Sequence, residues 1–494
     1  MNYKMVFSMI GLILRLEACL LLLPTLVAFI YGESTVVYFL ITFALTMAVG
    51  VIFKLLCKPN DHVIYAKDGF VTVALAWIIM SAFGALPFYF SGEIPSYIDA
   101  FFETVSGFTT TGASILTDVT KLSHGILFWR SFTHWIGGMG VIVMVMALFP
   151  TASGRSMHIM RAEMPGPIVG KLVPKVRETA KILYLIYIAL TILETVFLVF
   201  GDMNLFESIV HAVGTAGTGG FGIKADGLAS YSAYSQWVIT IFMLIFGVNF
   251  NLYYLILIGR AKNILKSEEL RAYIVIVLLS VAAISVNIFN MYGSVAETLR
   301  TSSFQVASIV TTTGFATTDF NLWPEFSKAI IFLLMFSGAC AGSTAGGMKI
   351  SRIVILFKIT TNNIRKLIHP RYVGAVQFEG KKLDEDTVKG VNNYFALYFG
   401  IIAVLYLIIT LDPFNFGEGY NAFETNITAI VSCFNNIGPG LSGVGPMAGY
   451  SSYSAFSKII LSVAMLLGRL ELYPLIIAAL PITWTRSKVR QIEK

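Results

Sequence analysis

The sequence predicts an all-α polytopic membrane protein, in which an N-terminal helix pair precedes four pseudo-repeats of helix, re-entrant pore helix, filter loop and helix around one pore. Three observations predict this fold: a charge-poor apolar composition, long apolar runs alternating with short ones, and a glycine-centred segment after each short run. Of the 494 residues, 56% are hydrophobic and 13% are charged, whereas soluble domains carry about 25% charged residues. This composition excludes a large soluble protein.

One membrane crossing takes about 20 residues, so each long apolar run predicts one crossing. The N-terminal pair covers 5–31 and 35–57. Its first run is too long for the core of a cleaved signal peptide, so we expect a retained signal anchor. With their connectors, the predicted units are the helix pair at 1–60 and four pore repeats at 61–155, 156–262, 263–370 and 371–494.

Each repeat has two long apolar runs with a shorter run between them. The long helices are predicted at 69–89 and 126–149, 180–200 and 236–258, 270–292 and 327–357, and 391–411 and 455–484. The short helices are predicted at 98–106, 205–213, 296–309 and 422–434. The short runs have too few residues to cross a bilayer, so they suit re-entrant helices that enter and leave on the same side.

A glycine segment follows each short helix: 109–113 (TTTGA), 217–221 (GTGGF), 312–316 (TTGFA) and 436–440 (NIGPG). We align Gly112, Gly219, Gly314 and Gly438 as equivalent positions. One such segment is an ordinary turn that caps a buried helix, whereas four in register predict a four-part ion filter within one chain. Backbone carbonyls in such a filter replace the hydration shell of a cation, and glycine lets the backbone turn these oxygens inward.

The four glycine segments contain no acidic side chain. A divalent-selective pore is expected to carry a ring of Asp or Glu, whereas carbonyl coordination suits dehydrated potassium. We therefore predict K⁺ as the transported ion, bound at Thr110, Thr111, Gly112, Thr218, Gly219, Gly220, Thr312, Thr313, Gly314, Asn436, Ile437 and Gly438.

Charge predicts the orientation in the membrane. Lysine and arginine concentrate in the connectors between repeats and in the C-terminal tail, whereas the stretches after the glycine segments contain fewer of them. The positive-inside bias places the repeat junctions and both termini in the cytoplasm and the glycine segments near the outer face. The formal net charge of +7 follows from these connectors, so it does not indicate a nucleic-acid partner.

Residues 338–347 interrupt the second long run of repeat three with four glycines and two hydroxyl side chains. These residue types are poor helix formers, so the run predicts either an intramembrane loop below the filter or a small-residue stripe for close helix packing. Arg469 lies within the last long run, where an arginine is costly unless it faces a polar cavity or a partner; a local ion pair with Glu471 is the alternative. The candidate gate residues are Gly338, Gly342, Ser343, Thr344, Gly346, Gly347 and Arg469.

The glycine segments, together with the run WIGGMG at 135–140, resemble the Trk/Ktr/HKT superfamily of potassium transporters over nearly the whole chain. Because of its extra N-terminal helix pair, the chain is most similar to the TrkH branch of that superfamily. The resemblance implies a homodimer with one pore per protomer in a bacterial inner membrane. It also implies that the loop at 338–347 plugs the pore and that Arg469 lies beneath the filter. Relatives with serine in the first filter favour sodium, so Gly112 implies potassium selectivity.

The resemblance further implies a cytosolic ring of TrkA-like regulatory subunits. These subunits bind the nucleotides, and this chain does not. The cytoplasmic connector from 358 to 389 is the predicted docking site, because it is the one sizeable soluble segment and contains a basic stretch. Attachment of that stretch to lipid headgroups is the competing interpretation.

The sequence is also compatible with two other functions. A sodium- or proton-coupled secondary transporter would use an intramembrane carboxylate, for which Glu194 and Glu207 are the candidates. A channel-like subunit of an ATP-driven potassium pump would work with a separate ATPase chain. The sequence has no phosphate-binding loop, no nucleophile with a base and no metal-ligand spacing, so we predict no enzymatic activity and no cofactor bound by this chain.

Overall fold

The computed structural model of the chain describes residues 1–57, 66–140, 176–412 and 419–484, and most of this backbone is helical. The N-terminal pair consists of Tyr3–Ile30 and Thr35–Leu56, which pack against each other. The first helix of the pair also packs on repeat one. The pair therefore lies against repeat one.

Each repeat has a leading helix, a short helix, a glycine segment and a closing helix. The leading helices are Ala66–Gly84 with its continuation Leu86–Phe90, Val176–Val199, Glu268–Tyr292 and Glu385–Ile409. The short helices are Tyr97–Phe108, Leu205–Gly217, Val295–Val310 and Ala422–Phe434. The closing helices are His124–Gly138, Ala233–Phe246, Glu325–Met335 and Ala455–Arg469.

Six helices of the described ranges are long and apolar enough to cross a membrane. They are the N-terminal pair and the four leading helices: Tyr3–Ile30, Thr35–Leu56, Lys67–Phe90, Glu178–Val199, Glu268–Tyr292 and Glu385–Ile409. The predicted all-α, multi-pass membrane fold is confirmed.

The closing helix of repeat two is broken, so the predicted continuous helix at 236–258 is wrong. The chain bends by 91° between Ala233–Phe246 and Phe250–Leu257. Asn249 starts the second piece as its N-cap, because its side chain accepts the N–H of Asn251 at 2.9 Å. Both pieces are apolar, so hydrophobicity along the sequence does not reveal the bend.

The closing helix of repeat four is also broken, and the predicted continuous helix at 455–484 is wrong. The first piece ends at Arg469. Glu471 and Leu472, just beyond it, have φ values of 52° and 73°. Two short helices follow, Tyr473–Ala479 and Pro481–Trp484. Arg469 is thus the last residue of a helix and does not lie in its middle.

In repeat three the closing helix stops at Met335 and resumes as Ile350–Ile368. The residues between them form a loop, which we call the plug loop (336–349), and it contains the predicted interruption at 338–347. In repeat one the described closing helix ends at Gly138. The remainder of the helix predicted at 126–149 lies outside the described residues from 141 onward.

The smaller elements lie in the connections. Three-residue 3₁₀ turns follow the glycine segments of repeats one, three and four, and a longer one precedes repeat three: Val119–Lys121, Phe320–Leu322, Ser442–Val444 and Ala261–Lys266. The connector after Ile350–Ile368 contains an antiparallel hairpin of Gln377–Phe378 and Lys381–Lys382. The predicted boundaries at 60/61 and 155/156 lie outside the described residues, and the division into units stays a prediction.

Candidate functional site

All four short helices end with the same backbone turn. In each, one residue lies in the left-handed region: Thr110, Thr218, Thr312 and Asn436, with φ between 54° and 57°. The N–H of the next residue bonds back to the last turn of the helix, as in Thr111 to the Ser106 carbonyl and Thr313 to the Ser308 carbonyl, both at 2.8 Å. This is a Schellman-type helix end. A β-branched threonine in this conformation is strained, and such strain is concentrated at functional sites.

The shared turn gives the register of the four segments and corrects one predicted equivalence. Two residues after each left-handed position the chain has Gly112, Gly220, Gly314 and Gly438. We call these four residues the glycine ring. Gly219 is therefore not the equivalent of Gly112. It takes the position of Thr111, and a Cβ there would lie 2.3 Å from the His134 ring.

The glycine ring closes on itself through backbone contacts. A Cβ on Gly112 would lie 2.7 Å from the nitrogen of Gly220, and one on Gly220 would lie 2.5 Å from the carbonyl carbon of Gly314. A Cβ on Gly314 would lie 2.0 Å from the oxygen of Ile437, and one on Gly438 would lie 2.7 Å from the oxygen of Thr111. Each segment thus touches the next, and the fourth touches the first. The circuit joins four separated stretches of chain around one axis.

A cavity of about 300 Å³ opens on one side of the ring, and all four ring glycines line it. The stretches that follow the glycine segments form the rest of its wall, including Ser114, Gly222, Ala316 and Tyr450. Arg130 and Lys224 are the charged side chains among its described lining residues, and none of these lining residues is acidic.

Many carbonyls of the glycine segments have no hydrogen-bond donor among the described residues. They belong to Thr110, Thr111, Gly112, Thr218, Gly219, Gly220, Thr312, Thr313, Gly314, Asn436 and Ile437. The carbonyl of Gly438 is different, since it accepts the Tyr450 hydroxyl at 2.8 Å. A buried carbonyl without a partner costs free energy, and a cation at the ring would supply the missing partner. Within the described ranges no cluster of three or more His, Cys, Asp or Glu side chains is placed to hold a metal ion.

Side chains of the segments brace the backbone. The hydroxyls of Thr109 and Thr111 lie 2.8 Å apart. The amide of Asn436 donates to the Thr111 hydroxyl at 3.0 Å and to the Met465 carbonyl at 2.9 Å. Asn436 therefore ties the fourth segment to the first, while the main-chain oxygens stay available.

The plug loop lies on the opposite side of the ring from the cavity, against the start of the glycine segments. The N–H of Gly346 donates to the Thr312 hydroxyl at 2.7 Å. A Cβ on Gly346 would lie 2.6 Å from the Asn435 carbonyl oxygen, so the close approach of the loop requires glycine at this position. Gly338 and Gly347 cross each other in the same loop, since a Cβ on Gly338 would lie 3.2 Å from the Cα of Gly347.

The other half of the plug loop rests on the broken helix of repeat two. The Cys340 N–H donates to the Gly247 carbonyl, and the Phe250 N–H donates to the Gly342 carbonyl, both at 3.0 Å. The Thr344 hydroxyl donates to the Phe246 carbonyl at 3.3 Å, while the Ser343 hydroxyl closes a local turn to Cys340. The bend in repeat two therefore supplies the bonding groups that hold the loop.

Arg469 lies beside the plug loop, and the structure brings these two predicted features together. Its guanidinium donates to the carbonyls of Thr344 (2.9 Å), Gly138 (2.8 Å) and Gly137, and it reaches the Thr110 hydroxyl at 3.3 Å. The alternative of an ion pair with Glu471 is wrong, because Glu471 pairs with Arg352.

Glu269 is a contact of the plug loop that the sequence analysis missed. Its carboxylate accepts the N–H of Ala341 at 2.7 Å and of Ser351 at 3.0 Å, so it ties the interior of the loop to the first turn of the helix that follows. Its own N–H donates to Glu379 of the hairpin at 377–382 at 3.0 Å. A carboxylate in the first turn of an apolar helix is an ordinary feature of a helix start, so the sequence alone gave no signal of this role.

The two carboxylates named for a coupled transporter lie elsewhere. Glu207 forms a capping box with Asn204 at the start of a short helix, which is a structural role. Glu194 is fully buried, and neither residue is among those that line the cavity.

Gly314→Ala tests the ring as a packing unit. The added methyl group meets the Ile437 oxygen and the φ of 84° opposes any side chain, so we expect a loss of about 1–3 kcal/mol of stability. Thermal unfolding of the purified protein in detergent measures this loss. Gly400→Ala is the matched control, since nothing lies within 4 Å of a Cβ there, and it should unfold at or above the wild-type temperature. A Gly314→Ala protein as stable as wild type would contradict the ring packing.

Comparison with known proteins supports the resemblance drawn from the sequence. The family model of TrkH, a cation transport protein, matches residues 36–483. The chain is 35% identical to the Trk system potassium uptake protein TrkH of Escherichia coli K12 and to that of Salmonella typhimurium, in each case over 98% of this chain and 100% of the relative. The crystal structure of the potassium transporter TrkH from Vibrio parahaemolyticus superposes with a TM-score of 0.87 at 31% identity, covering 98% of this chain and 100% of that one. The chain belongs to the TrkH family of cation transport proteins.

Proposed function

We propose that this protein takes up potassium across a bacterial inner membrane through a channel-like pore, with the glycine ring and its neighbouring carbonyls as the selectivity filter. The observation that carries the proposal is the closed circuit of Gly112, Gly220, Gly314 and Gly438, beside carbonyls that lack donors among the described residues. Relatives that match the whole chain are named as potassium uptake proteins. We also propose that the protein is a homodimer with one pore in each protomer.

The filter acts by replacing water with main-chain oxygens. A potassium ion gives up its hydration shell as it enters the ring, and carbonyls from four directions take the place of the lost water. The short helices add to this effect because each one ends at the ring, and the C-terminal end of a helix carries a partial negative charge. No carboxylate is needed for this coordination, and none is among the described residues that line the cavity. The cavity is the outer vestibule, where the hydrated ion waits.

The plug loop acts as the gate. It lies under the start of the filter, where Gly346 bonds to Thr312 and Thr344 bonds to Arg469. In this position the loop closes the path. Arg469 stabilises the closed position because it donates to the loop and to the end of the repeat-one helix at the same time. Its positive charge also repels a cation at this level. Opening requires the loop to withdraw and these hydrogen bonds to break.

A cytosolic partner controls the gate through the connector at 358–389. In this proposal TrkA-like subunits bind the nucleotide and dock on the connector. Its hairpin bonds to the start of the third leading helix, because Glu379 accepts from the Ser267 hydroxyl (2.8 Å) and the Glu269 N–H (3.0 Å). Lys358 adds an ion pair with Glu268. Since Glu269 holds the plug loop, a movement of the hairpin is transmitted to the gate.

Gly112→Ser tests the filter and the proposed function together. A serine at this position places a Cβ 2.7 Å from the Gly220 nitrogen, which deforms the ring and adds a hydroxyl to the ion path. Wild-type protein in liposomes should carry potassium in preference to sodium, and Gly112→Ser should lower the potassium-to-sodium flux ratio. Gly400→Ser is the control and should keep the wild-type ratio.

The same assay separates the competing functions. Liposomes without ATP or an ATPase chain exclude a pump, and flux without a sodium or proton gradient excludes obligatory coupling. A wild-type protein that carries no potassium under these conditions would contradict the proposal, as would a flux ratio unchanged by Gly112→Ser.

Arg469→Ala tests the gate. The change removes four donated hydrogen bonds, and a bond from a charged donor is worth about 1.5–3 kcal/mol. We expect the basal potassium flux of the isolated subunit to rise while potassium stays preferred. Arg260→Ala, at an exposed position, should leave the flux at the wild-type level. Unchanged flux in Arg469→Ala would show that this arginine does not hold the gate shut.

A further inference from the structure

A buried ion pair lies directly behind the first glycine segment. Arg130 of the repeat-one closing helix donates through Nε to the Glu103 carboxylate of the adjacent short helix at 2.6 Å. The side chains are 3% and 0% exposed, respectively. A buried charge is tolerated when it is paired and its remaining polar atoms are bonded, so the other contacts of the pair show what it is attached to.

Glu103 holds the exit of the first glycine segment. Its Oε1 accepts the Ser114 hydroxyl at 2.9 Å, and its Oε2 accepts the Ile115 N–H at 3.0 Å. Ser114 comes two residues after the ring residue Gly112. The carboxylate thus fixes the stretch just past the ring to the helix that leads into the ring.

Arg130 holds the exit of the second glycine segment. Its Nη1 donates to the Gly222 carbonyl at 2.9 Å, two residues after Gly220. The guanidinium also lies 3.7 Å above the centre of the Phe221 ring, a cation–π contact. The pair therefore joins two neighbouring segments, and the Glu103 carboxylate balances a positive charge that borders the cavity.

In the described ranges, a short-helix carboxylate at this position occurs in one repeat. Counted from the left-handed residue of each short-helix end, the equivalents of Glu103 are His211, Gln305 and Ala429. Gln305 makes a related but neutral contact, since its amide donates to the Thr317 hydroxyl past the third segment at 3.3 Å. His211 bonds within its own helix to the Glu207 carbonyl. Among the described contacts, an ion pair bonded to the exits of two glycine segments occurs at the junction of repeats one and two.

We propose that Glu103 and Arg130 are positioning residues for ion selectivity: the pair holds the first and second glycine segments at the spacing that favours potassium over sodium. The inference rests on the proposed function of the ring as a filter. A smaller ion is coordinated well only if the carbonyls move inward, and a brace that fixes two of four segments opposes this movement. Neither residue touches the ion, because both act through the backbone past the ring.

Variants of the pair separate positioning from general stability. Glu103→Gln removes the charge while keeping the shape, and it leaves Arg130 as an unbalanced cation beside the cavity. Ser114→Ala removes one contact of the carboxylate and leaves the ion pair in place, so it is the milder test. Glu103→Asp keeps the charge and should retain most of the wild-type behaviour.

Asp99→Asn is the matched control. Asp99 lies in the first turn of the same short helix and pairs with Lys458 at 2.7 Å, with side chains 27% and 8% exposed, so the change removes another ion pair of that helix. Asp99 has no bond to a glycine segment among the contacts described. Its removal can change stability without changing the spacing of the ring.

The measurement is the ratio of potassium to sodium flux through the purified full-length protein in liposomes. We expect Glu103→Gln to lower the ratio about tenfold, equivalent to about 1.4 kcal/mol of discrimination. Ser114→Ala should lower it less, and Asp99→Asn should leave it at the wild-type value. If Glu103→Gln does not fold, the comparison of Ser114→Ala with Asp99→Asn decides the matter.

Three results would overturn the inference, and they differ in what else they overturn. If the wild type discriminates and Ser114→Ala and any folded Glu103→Gln keep its ratio, the pair has only a structural role and the proposed filter stands. A fall of equal size in Asp99→Asn has the same meaning. If the wild type does not discriminate between the ions, the proposed function fails and this inference fails with it.

Discussion

The close approach of four backbone segments around one axis is the constraint on which the rest of the structure depends. At the ring the main chains touch without side chains between them, so each contributing position has to be glycine. Each short helix must end at this level, and the turn that ends it forces Thr110, Thr218 and Thr312 into a strained conformation. Local strain is accepted because the packing of the neighbouring segments holds it in place. The leading helices and the N-terminal pair surround this centre.

The two sides of the ring differ in how their polar groups are satisfied. On the cavity side, hydrogen bonds hold the stretches that follow the glycine segments. Glu103 and Arg130 hold the stretches after the first and second segments, respectively. On the plug-loop side the closing helices of repeats one and two end, which leaves their last carbonyls without helical partners. Arg469 bonds to Gly137 and Gly138 at one such end, and Thr344 bonds to Phe246 at the other. These helix ends therefore provide acceptors for the loop and for Arg469.

The sequence predicted the parts of this architecture that composition and spacing encode: the multi-pass helical fold, the four glycine segments, and an interruption at 338–347. It did not predict the register of repeat two, because Gly219 and Gly220 adjoin and only the left-handed turn at Thr218 distinguishes them. It missed the bends at Asn249 and Glu471, because apolar runs lie on both sides of each bend. The role of Glu269 was hidden as well, because its partners are over 70 residues away in the chain and depend on tertiary packing.

Diffraction from crystals of the protein grown with rubidium or thallium ions tests the central claim most directly, because both ions scatter anomalously and substitute for potassium. The account predicts anomalous peaks on the axis of Gly112, Gly220, Gly314 and Gly438, within coordinating distance of carbonyls from all four segments. Peaks that lie only at side chains away from this axis, in protein that still transports the ion, would contradict it.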